Sequence, residues 1–353
     1  EDEPDFQITS VYRNLYYFVS DVANWNYIRY DEFYGTGTFI NPADYDFRLN
    51  TLFANAMNVQ GQYKDKLLII NNIPHNPNGY FMSLNTGSDV PFSCIHVSRY
   101  SPPESSTLII GTQSGRLFKV ENTQFYPKVE EITGRDFPTG NISCVAMGGS
   151  EDTLLVTFSN YGVASIWLTV NNGESWENKE GNLPDMPVRW CVLLPQDSRK
   201  ALLATEIGVW STEDLIRNSV LWQPAIDGMA NVRVDMLRLR RSDNTVLAAT
   251  HGRGLFTASY KANLIPDEYS DVKIDLYPNP NNGQFKISFY CRDYRNVSIE
   301  IFSLHGKIIE TFNTRCYIGP FSKTFDLRKF SSGLYTINIS IGDNSYQRKV
   351  IIQ

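Results

Sequence analysis

At 353 residues, with 42% hydrophobic, 20% charged and 13% aromatic residues, the chain has a globular composition and a comfortable length for two domains. A formal net charge of −6 argues against a general nucleic-acid binder, whose footprint is basic, and no apolar run approaches the roughly 20 residues of a membrane-spanning helix. The charge is uneven: residues 271–353 hold 11 Lys and Arg against 7 Asp and Glu, a net of +4, which leaves −10 on residues 1–270 and predicts two modules of opposite sign.

The chain opens on "EDEPDFQITS", neither a methionine start nor a signal peptide. The expectation is that a leader has been removed or that the sequence begins inside a larger protein. Turn residues are spread throughout and long-helix formers do not dominate, which predicts an all-β protein. The five cysteines, Cys94, Cys144, Cys191, Cys291 and Cys316, show no C-x-x-C and no close Cys/His spacing, so no zinc site is expected, nor any other metal or cofactor. The sequence leaves open whether Cys291 and Cys316 pair.

Residues 1–262 are repetitive. "LIIGTQSGRLFKV" from Leu108, "LLVTFSNYGVASIWL" from Leu154, "LLATEIGVWST" from Leu202 and "VLAATHGRGLFTAS" from Val246 each give an apolar run, a Thr, a polar turn, a Gly and an alternating strand. Gly115, Gly162, Gly208 and Gly254 are 47, 46 and 46 residues apart, and Thr112, Thr157, Thr205 and Thr250 are 45, 48 and 45 apart. Upstream of each lies a second phased strand, "FSCIHVS", "ISCVAMG", "RWCVLLP" and "VDMLRLR", with Cys94, Cys144, Cys191 and Met236 at one phase. Three cysteines at one repeat position read as small apolar packers on an inner strand rather than as a disulfide set. "KLLIINNIPHNPNGYFMSLN" (66–85) reads as a weaker copy one repeat earlier. Such a unit, at about 40–50 residues, is the mark of a β-propeller blade, which cannot bury both faces of its sheet alone and stacks on its neighbours.

"TVNNGESW" places Thr169, Asn171, Gly173 and Trp176 in the pattern Ser/Thr-x-Asp-x-Gly-x-x-Trp, with Asn171 in place of Asp. It resembles the Asp-box, or BNR repeat, of sialidase-type and sortilin-type propellers. The resemblance implies a hairpin turn between the third and fourth strands of a blade, with the Asn side chain capping turn N–H groups, Gly at positive φ and Trp packed beneath. "SLNTGSDV" (83–90) resembles a decayed copy without the Trp, "VSDVANW" ending at Trp25 resembles another, and Trp222 follows Trp176 by 46 residues. The box is a folding device and implies no sialidase activity. At roughly 46 residues each, between five and six blades fit into 1–262. The expectation is the C-terminal part of a larger propeller, with a complete six-bladed ring as the alternative.

A polar linker with a proline, covering 263–272, precedes a change of pattern. "LYPNPNNGQFKIS" (276–288) sets Pro278 and Pro280 in a run of asparagines, so the linker is expected not to extend as a paired strand, and Asn282-Gly283 is expected to turn into the first strand. "QFKISFY" alternates with Phe285, Ile287 and Phe289 on one face, "VSIEIFSL" with Val297, Ile299 and Ile301, and "GLYTINISI" alternates from Leu334. Turn signals at this spacing predict a small antiparallel β-sandwich over 273–353.

"YPNP" (Tyr277, Pro278, Asn279, Pro280) with Gly283 and Phe285, "VSIEIFSLHGKII" with Gly306 and Lys307, "DLRKFSSGLYTINI" with Gly333, Leu334 and Tyr335, and the terminal "RKVIIQ" with Lys349 form an ordered set. They resemble the C-terminal sorting domain of the type IX secretion system, the Por secretion tail of Bacteroidetes. The resemblance implies recognition at the outer membrane by the translocon barrel and its PorV-like shuttle. It also implies export behind a folded passenger and removal by a sortase-like peptidase at the cell surface.

The passenger shows no GxSxG, HExxH, P-loop or dinucleotide fingerprint, and no catalytic residue is assigned. Asp44, Asp46 and Asp235 lie near strand starts, where a propeller can bring carboxylates together as glycoside hydrolysis requires; solvation or turn capping is the other role open to each. Arg189, Arg233 and Arg253 are available to a sialidase-like cluster, with no motif to select them. His251 in "THGRG" falls at the turn that reads "TQSG" and "TEIG" elsewhere, so the repeat accounts for it. Asp152-Thr153-Leu154 resembles the short O-glycosylation sequon of Bacteroidetes, and a strand-initiating turn explains it equally. The expected passenger is a surface or secreted module that binds a glycan or a protein. The alternatives are a glycoside hydrolase with its site partly upstream and an accessory of the secretion machinery that keeps its tail.

Overall fold

The computed structural model describes residues 6–21, 24, 26–194, 197–225, 228–229, 231–240, 243–259, 274–291, 295–304, 306–316, 319–342 and 344–353. Trp25 and the linker expected at 263–272 lie outside the described residues. Among the described residues the protein is all β, in antiparallel sheets with no helix. The chain divides into two compact units. The first comprises Glu1–Leu194, Arg199–Arg240 and Thr245–Ala258; the second comprises Ser259–Gln353 with the short segments Pro195–Ser198 and Arg241–Asn244.

In the first unit each sheet is an up-and-down meander taken in chain order. The first sheet is β1 (Gln7–Ser10), β2 (Tyr16–Asp21) and β3 (Asn26–Tyr30); the second is β4 (Ala43–Asp46), β5 (Thr51–Asn55), β6 (Lys66–Asn71) and β7 (Asn78–Ser83). The third is β8 (Phe92–Val97), β9 (Leu108–Thr112), β10 (Leu117–Glu121) and β11 (Lys128–Glu131); the fourth is β12 (Ile142–Met147), β13 (Leu154–Phe158), β14 (Ile166–Thr169) and β15 (Glu177–Asn178). The fifth is β16 (Val188–Leu194), β17 (Asp197–Thr205), β18 (Gly208–Thr212) and β19 (Gln223–Ala225), and the sixth is β20 (Val234–Arg240), β21 (Thr245–Thr250) and β22 (Gly254–Ser259).

The first strands adjoin in succession: β4 lies against β8, β8 against β12, β12 against β16 and β16 against β20. The second strands explain why. All residues of β5, β9 and β13 are buried, so both faces of each sheet need a cover. The core is accordingly a series of layers between consecutive sheets. One joins Phe53 and Leu67 to Ile95 and Ile110, the next Cys94 and Ile109 to Val156 and Trp167, and the next Cys144 and Leu155 to Cys191 and Trp222.

The repeat residues seen in sequence have local reasons. Gly115, Gly162, Gly208 and Gly254 all stand at positive φ, between 72° and 110°, in the hairpins joining second to third strands. Thr205 and Thr250 donate their hydroxyls across those hairpins to Gly208 O at 2.8 Å and Gly254 O at 2.7 Å. Cys94, Cys144 and Cys191 are free, buried thiols on first strands; burial pushes Cys94 and Cys144 well above the ordinary thiol range, so they remain protonated packers. Met236, at the same sequence phase, is 36% exposed.

The structure also corrects two readings of the repeat. Residues 66–85 supply β6 and β7, the third and fourth strands of their sheet, and the counterpart of β9 and β13 is β5. "SLNTGSDV" connects β7 to β8, one sheet to the next, and is not a third-to-fourth hairpin; Asp65 holds it, accepting from Thr86 Oγ1 at 2.5 Å and Gly87 N at 3.0 Å.

Two tryptophans lock neighbouring sheets. Trp176 Nε1 donates to Ile132 O, just beyond β11, at 2.9 Å, and Trp222 Nε1 donates to Lys179 O, just beyond β15, at 2.9 Å. Asn182 adds a reciprocal pair with the Trp222 backbone, at 2.6 and 3.0 Å.

In the second unit, β23 (Asp275–Tyr277), β24 (Gln284–Cys291) and β27 (Gly319–Asp326) form one sheet in the order β23-β24-β27. The facing sheet holds β25 (Arg295–Phe302), β26 (Ile308–Cys316), β28 (Gly333–Ile341) and β29 (Asn344–Ile352) in the order β26-β25-β28-β29. Phe285, Ile287, Phe289 and Phe325 from one sheet share a core with Val297, Ile299, Ile301, Ile337 and Ile339 from the other, the arrangement of a β-sandwich. Cys291 and Cys316 form a disulfide between the sheets. The inward set of β28 begins at Tyr335, and Leu334 faces outward, one residue out of step with the alternation expected from Leu334. The first strand is β23, which precedes the prolines and pairs Asp275 with Ser288 and Tyr277 with Lys286.

Trp222 is fully buried between two sheets, so Trp222→Ala removes an indole and strands the Lys179 carbonyl. The expected loss is about 3–5 kcal/mol of first-unit stability, read by urea unfolding with tryptophan fluorescence, and the loss for half-buried Trp176→Ala should be smaller.

Candidate functional sites

Thr169, Asn171, Gly173 and Trp176 stand in the turn between β14 and β15. Thr169 Oγ1 accepts from Gly173 N at 3.1 Å and donates to Asn171 Oδ1 at 2.8 Å. The same Asn171 oxygen accepts from Ser175 N at 3.0 Å. Gly173 has φ +88°, and a Cβ there would lie 2.7 Å from Ile132 Cβ, so the turn presses against the neighbouring sheet where Trp176 also bonds. Thr169 and Asn171 thus hold the turn together, while Gly173 and Trp176 seat it on the neighbouring sheet. Thr153, in the sequon-like triplet, is buried at the start of β13 and donates its N–H to Ser150 O at 3.3 Å.

The carboxylates and arginines noted separately in sequence separate into three environments. Asp46 is buried, bonded to Arg48 at 2.6 Å and accepting from Ser106 Oγ at 2.7 Å; Arg48 in turn donates to Ser101 O at 2.8 Å. Asp44 accepts from Val97 N at 2.8 Å and lies 3.8 Å from His96 Nδ1. Both tie the second sheet to the third.

Asp235, Arg189, Arg233 and His251 come together. Three first strands carry a β-bulge near their start, at Phe92/Cys94, Ile142/Cys144 and Val234/Met236, which leaves Ser93, Ser143 and Asp235 without a ladder partner. A bulge re-aims its side chain. Ser93 donates to Ile142 O at 2.7 Å and Ser143 to Val188 O at 2.6 Å, each on the next first strand. In the sixth sheet a carboxylate, Asp235, takes the place of that hydroxyl. Asp235 accepts from Arg233 Nε at 2.6 Å and lies 3.8 Å from Arg189 Nε and 3.5 Å from His251 Nδ1. Arg189 is held by Glu206, which accepts from its Nε at 2.7 Å; Glu206 carried no signal in the sequence. Both carboxylates are engaged by guanidinium groups, so the cluster is an ion-pair network across neighbouring sheets. Arg253 lies exposed in the His251 turn.

In the second unit, the four motif segments converge on one end of the sandwich. Register shows it: Phe302 pairs with Thr336 and with Ile308, and Thr336 pairs with Lys349. The turn with Gly306 and Lys307, the start of β28 at Gly333, Leu334 and Tyr335, and the end of β29 therefore lie together. Tyr335 reaches back from β28, its hydroxyl donating to Ser331 O at 2.7 Å.

"YPNPNNG" is fastened to the same end. Asn279 Nδ2 donates to Lys349 O at 2.9 Å and Asn279 Oδ1 accepts from Ile351 N at 2.9 Å. Asn281 N donates to Ile351 O at 2.9 Å, and Asn281 O accepts from Gln353 N at 2.8 Å. The Asn281 side chain then holds its own turn, accepting from Gly283 N at 2.8 Å. Gly283 O accepts from Leu327 N at 2.7 Å, beside Asp326, whose carboxyl Arg328 holds well below the usual range through side-chain and backbone bonds. Phe285 begins the buried face. Tyr277, Pro278, Asn279 and Pro280 are exposed.

The family model described as the secretion system C-terminal sorting domain matches residues 275–353. This match makes the tail similar to secretion sorting domains. It supports a cargo of type IX secretion, with export to the cell surface or beyond. Among solved structures, that of PorZ, an essential bacterial surface component of the type-IX secretion system of Porphyromonas gingivalis, is similar to 100% of this chain at 13% identity with a TM-score of 0.55. The match covers 50% of PorZ, so this chain spans half the length of that protein. The extracellular domain of the hybrid two-component system protein BT3049 from B. thetaiotaomicron is similar at a TM-score of 0.48 and 10% identity, over 98% of this chain and 55% of that one. No curated protein matches the sequence. In the sorting domain, Gly283 has φ +96°, and a Cβ would lie 2.9 Å from the Arg328 backbone, whereas Gly333, at φ +155°, has nothing within 4 Å. Gly283→Ala is therefore expected to cost about 2 kcal/mol or more of sorting-domain stability, and Gly333→Val less. Hydrogen exchange over 284–352, measured by mass spectrometry on the full chain, checks the order.

Proposed function

We propose that this chain is an exported protein whose sheets act as propeller blades in a surface-displayed binding module for a glycan or a protein. In this reading the sorting domain carries the module out through the translocon barrel with a PorV-like outer-membrane shuttle, and a sortase-like peptidase acts on the linker. The observation that carries the reading is the convergence of all four motif segments on one end of a folded sandwich within the residues matched by the sorting-domain family. The blade reading rests on the succession of meander sheets with adjoining first strands.

A second reading has its own support. The similarity to PorZ runs the whole length of this chain, sandwich included, which favours an accessory of the secretion machinery that keeps its tail.

Deleting 274–353 is expected to leave the passenger in the periplasm, measured by fractionation and immunoblotting; normal export of the deletion variant would overturn the sorting role. The intact mass of exported protein separates the two readings. A C-terminus near residue 270 supports a cleaved cargo, and one at Gln353 supports the accessory.

A further inference from the structure

In the first unit Arg29, Arg48, Arg116, Arg189, Arg217 and Arg233 each lie against a carboxylate. Arg99 and Arg238 do not. Arg238, exposed on β20, lies over the Trp190 ring of β16 at 5.3 Å. Arg99, exposed just beyond β8, lies over the Tyr100 ring at 5.6 Å and donates to Met147 O at 3.3 Å. Among the described residues neither has a carboxylate within ion-pair distance. A guanidinium seated on a ring keeps its fork of N–H donors largely free and fixed in direction.

The two meet at His96. His96 and Arg238 each stand two residues past the bulge of their first strand, beyond Cys94 and Met236, so they occupy one level. In the row of first strands β12 and β16 lie between them, yet His96 feels the charges of both Arg99 and Arg238, and Cys144 on β12 feels that of Arg238. The row therefore bends, and the three side chains face a common space. Burial and the two guanidiniums keep the imidazole below its ordinary value against the pull of Asp44, 3.8 Å from Nδ1, so His96 carries no charge at neutral pH. Two guanidiniums and the Asp44 carboxylate leave this space a net charge of +1. The nearby network of Arg189, Arg233, Asp235 and Glu206 cancels within itself.

We propose that Arg99, Arg238 and His96 bind the carboxylate of an acidic sugar. The inference deepens the binding-module reading and rests on it. A guanidinium fork offers paired donors to the two oxygens of a carboxylate, and a neutral imidazole adds a donor without adding charge. The balance of charge selects the ligand: one carboxylate neutralises the space, whereas a phosphate monoester, with close to two negative charges, overshoots it beside Asp44.

The test is isothermal titration calorimetry on the full chain at neutral pH, with glucuronate, glucose and glycerol phosphate. Glucuronate is expected to bind with a Kd of about a millimolar or tighter, glycerol phosphate more weakly, and glucose not measurably. Arg99→Gln and Arg238→Gln should each weaken glucuronate about tenfold. Arg238→Lys, which keeps the charge and loses the fork, should fall between. Arg135→Gln, at an exposed arginine between β11 and β12, should bind like the parent. Asp44→Asn keeps an oxygen for the Val97 N–H and should raise the affinity for glycerol phosphate more than for glucuronate, a change of charge preference that a structural role alone would not produce. Thermal midpoints within a few degrees of the parent establish that each variant is folded. No binding of glucuronate by the parent would overturn the proposal, as would parent-like binding by Arg99→Gln and Arg238→Gln, an equal loss in Arg135→Gln, or a parent that prefers glycerol phosphate. Failure of the underlying reading looks different. A chain that binds no glucuronate but still captures a neutral glycan or a protein loses only this site, whereas one that captures none of them loses the binding-module reading.

Discussion

A sheet of four short strands that is apolar on both faces must be covered on both sides. In the first unit this requirement governs the rest. β5, β9 and β13 have no polar face to offer solvent, so each sheet becomes the lid of the one before it. Side chains that could have been free are recruited to hold the layers in register: the indoles of Trp176 and Trp222 at the outer strands, and Ser93 and Ser143 at the inner ones. Each of these bonds ends on a backbone carbonyl of a neighbouring layer. Carbonyls are present whatever the sequence, so the layers hold together while their turns diverge.

That economy explains which parts of the fold were legible from sequence. Glycines at positive φ and threonines at hairpin starts recur because backbone geometry demands them, and their spacing revealed the repeat. Where geometry makes no demand, the pattern misled. "SLNTGSDV" has the composition of a turn and is one, but composition does not say which strands a turn connects. "GLYTINISI" offers apolar side chains in both phases at its start, and only packing decides that Tyr335 points inward and Leu334 outward. The bulges were invisible, since an extra residue in one strand is defined by its partner's register. So was the gathering of Arg189, Arg233, Asp235 and His251, which lie on two sheets and meet through that same bulge position.

The sorting domain shows the opposite balance. Its four segments stood out in the sequence, in order, within the residues that the sorting-domain family matches. Their common location was not, because Phe302, Thr336 and Lys349 become neighbours only through ladder register, and Asn279 and Asn281 meet residues 349–353 only once β29 is in place. Short polar residues that looked like punctuation turn out to be fasteners.

The bond between Cys291 and Cys316 lies at the other extremity of the sandwich from those fasteners, at the far ends of β24 and β26. Disulfides form and persist in oxidising compartments and stay reduced in the cytosol. The remaining three cysteines are buried as free thiols inside the first unit, so once that unit has folded they cannot compete for the pairing. The sandwich therefore reaches its cross-linked form only after the chain has left the cytosol. An exported tail built this way carries its own clock: the oxidation of one pair of cysteines marks that it has left the cytosol.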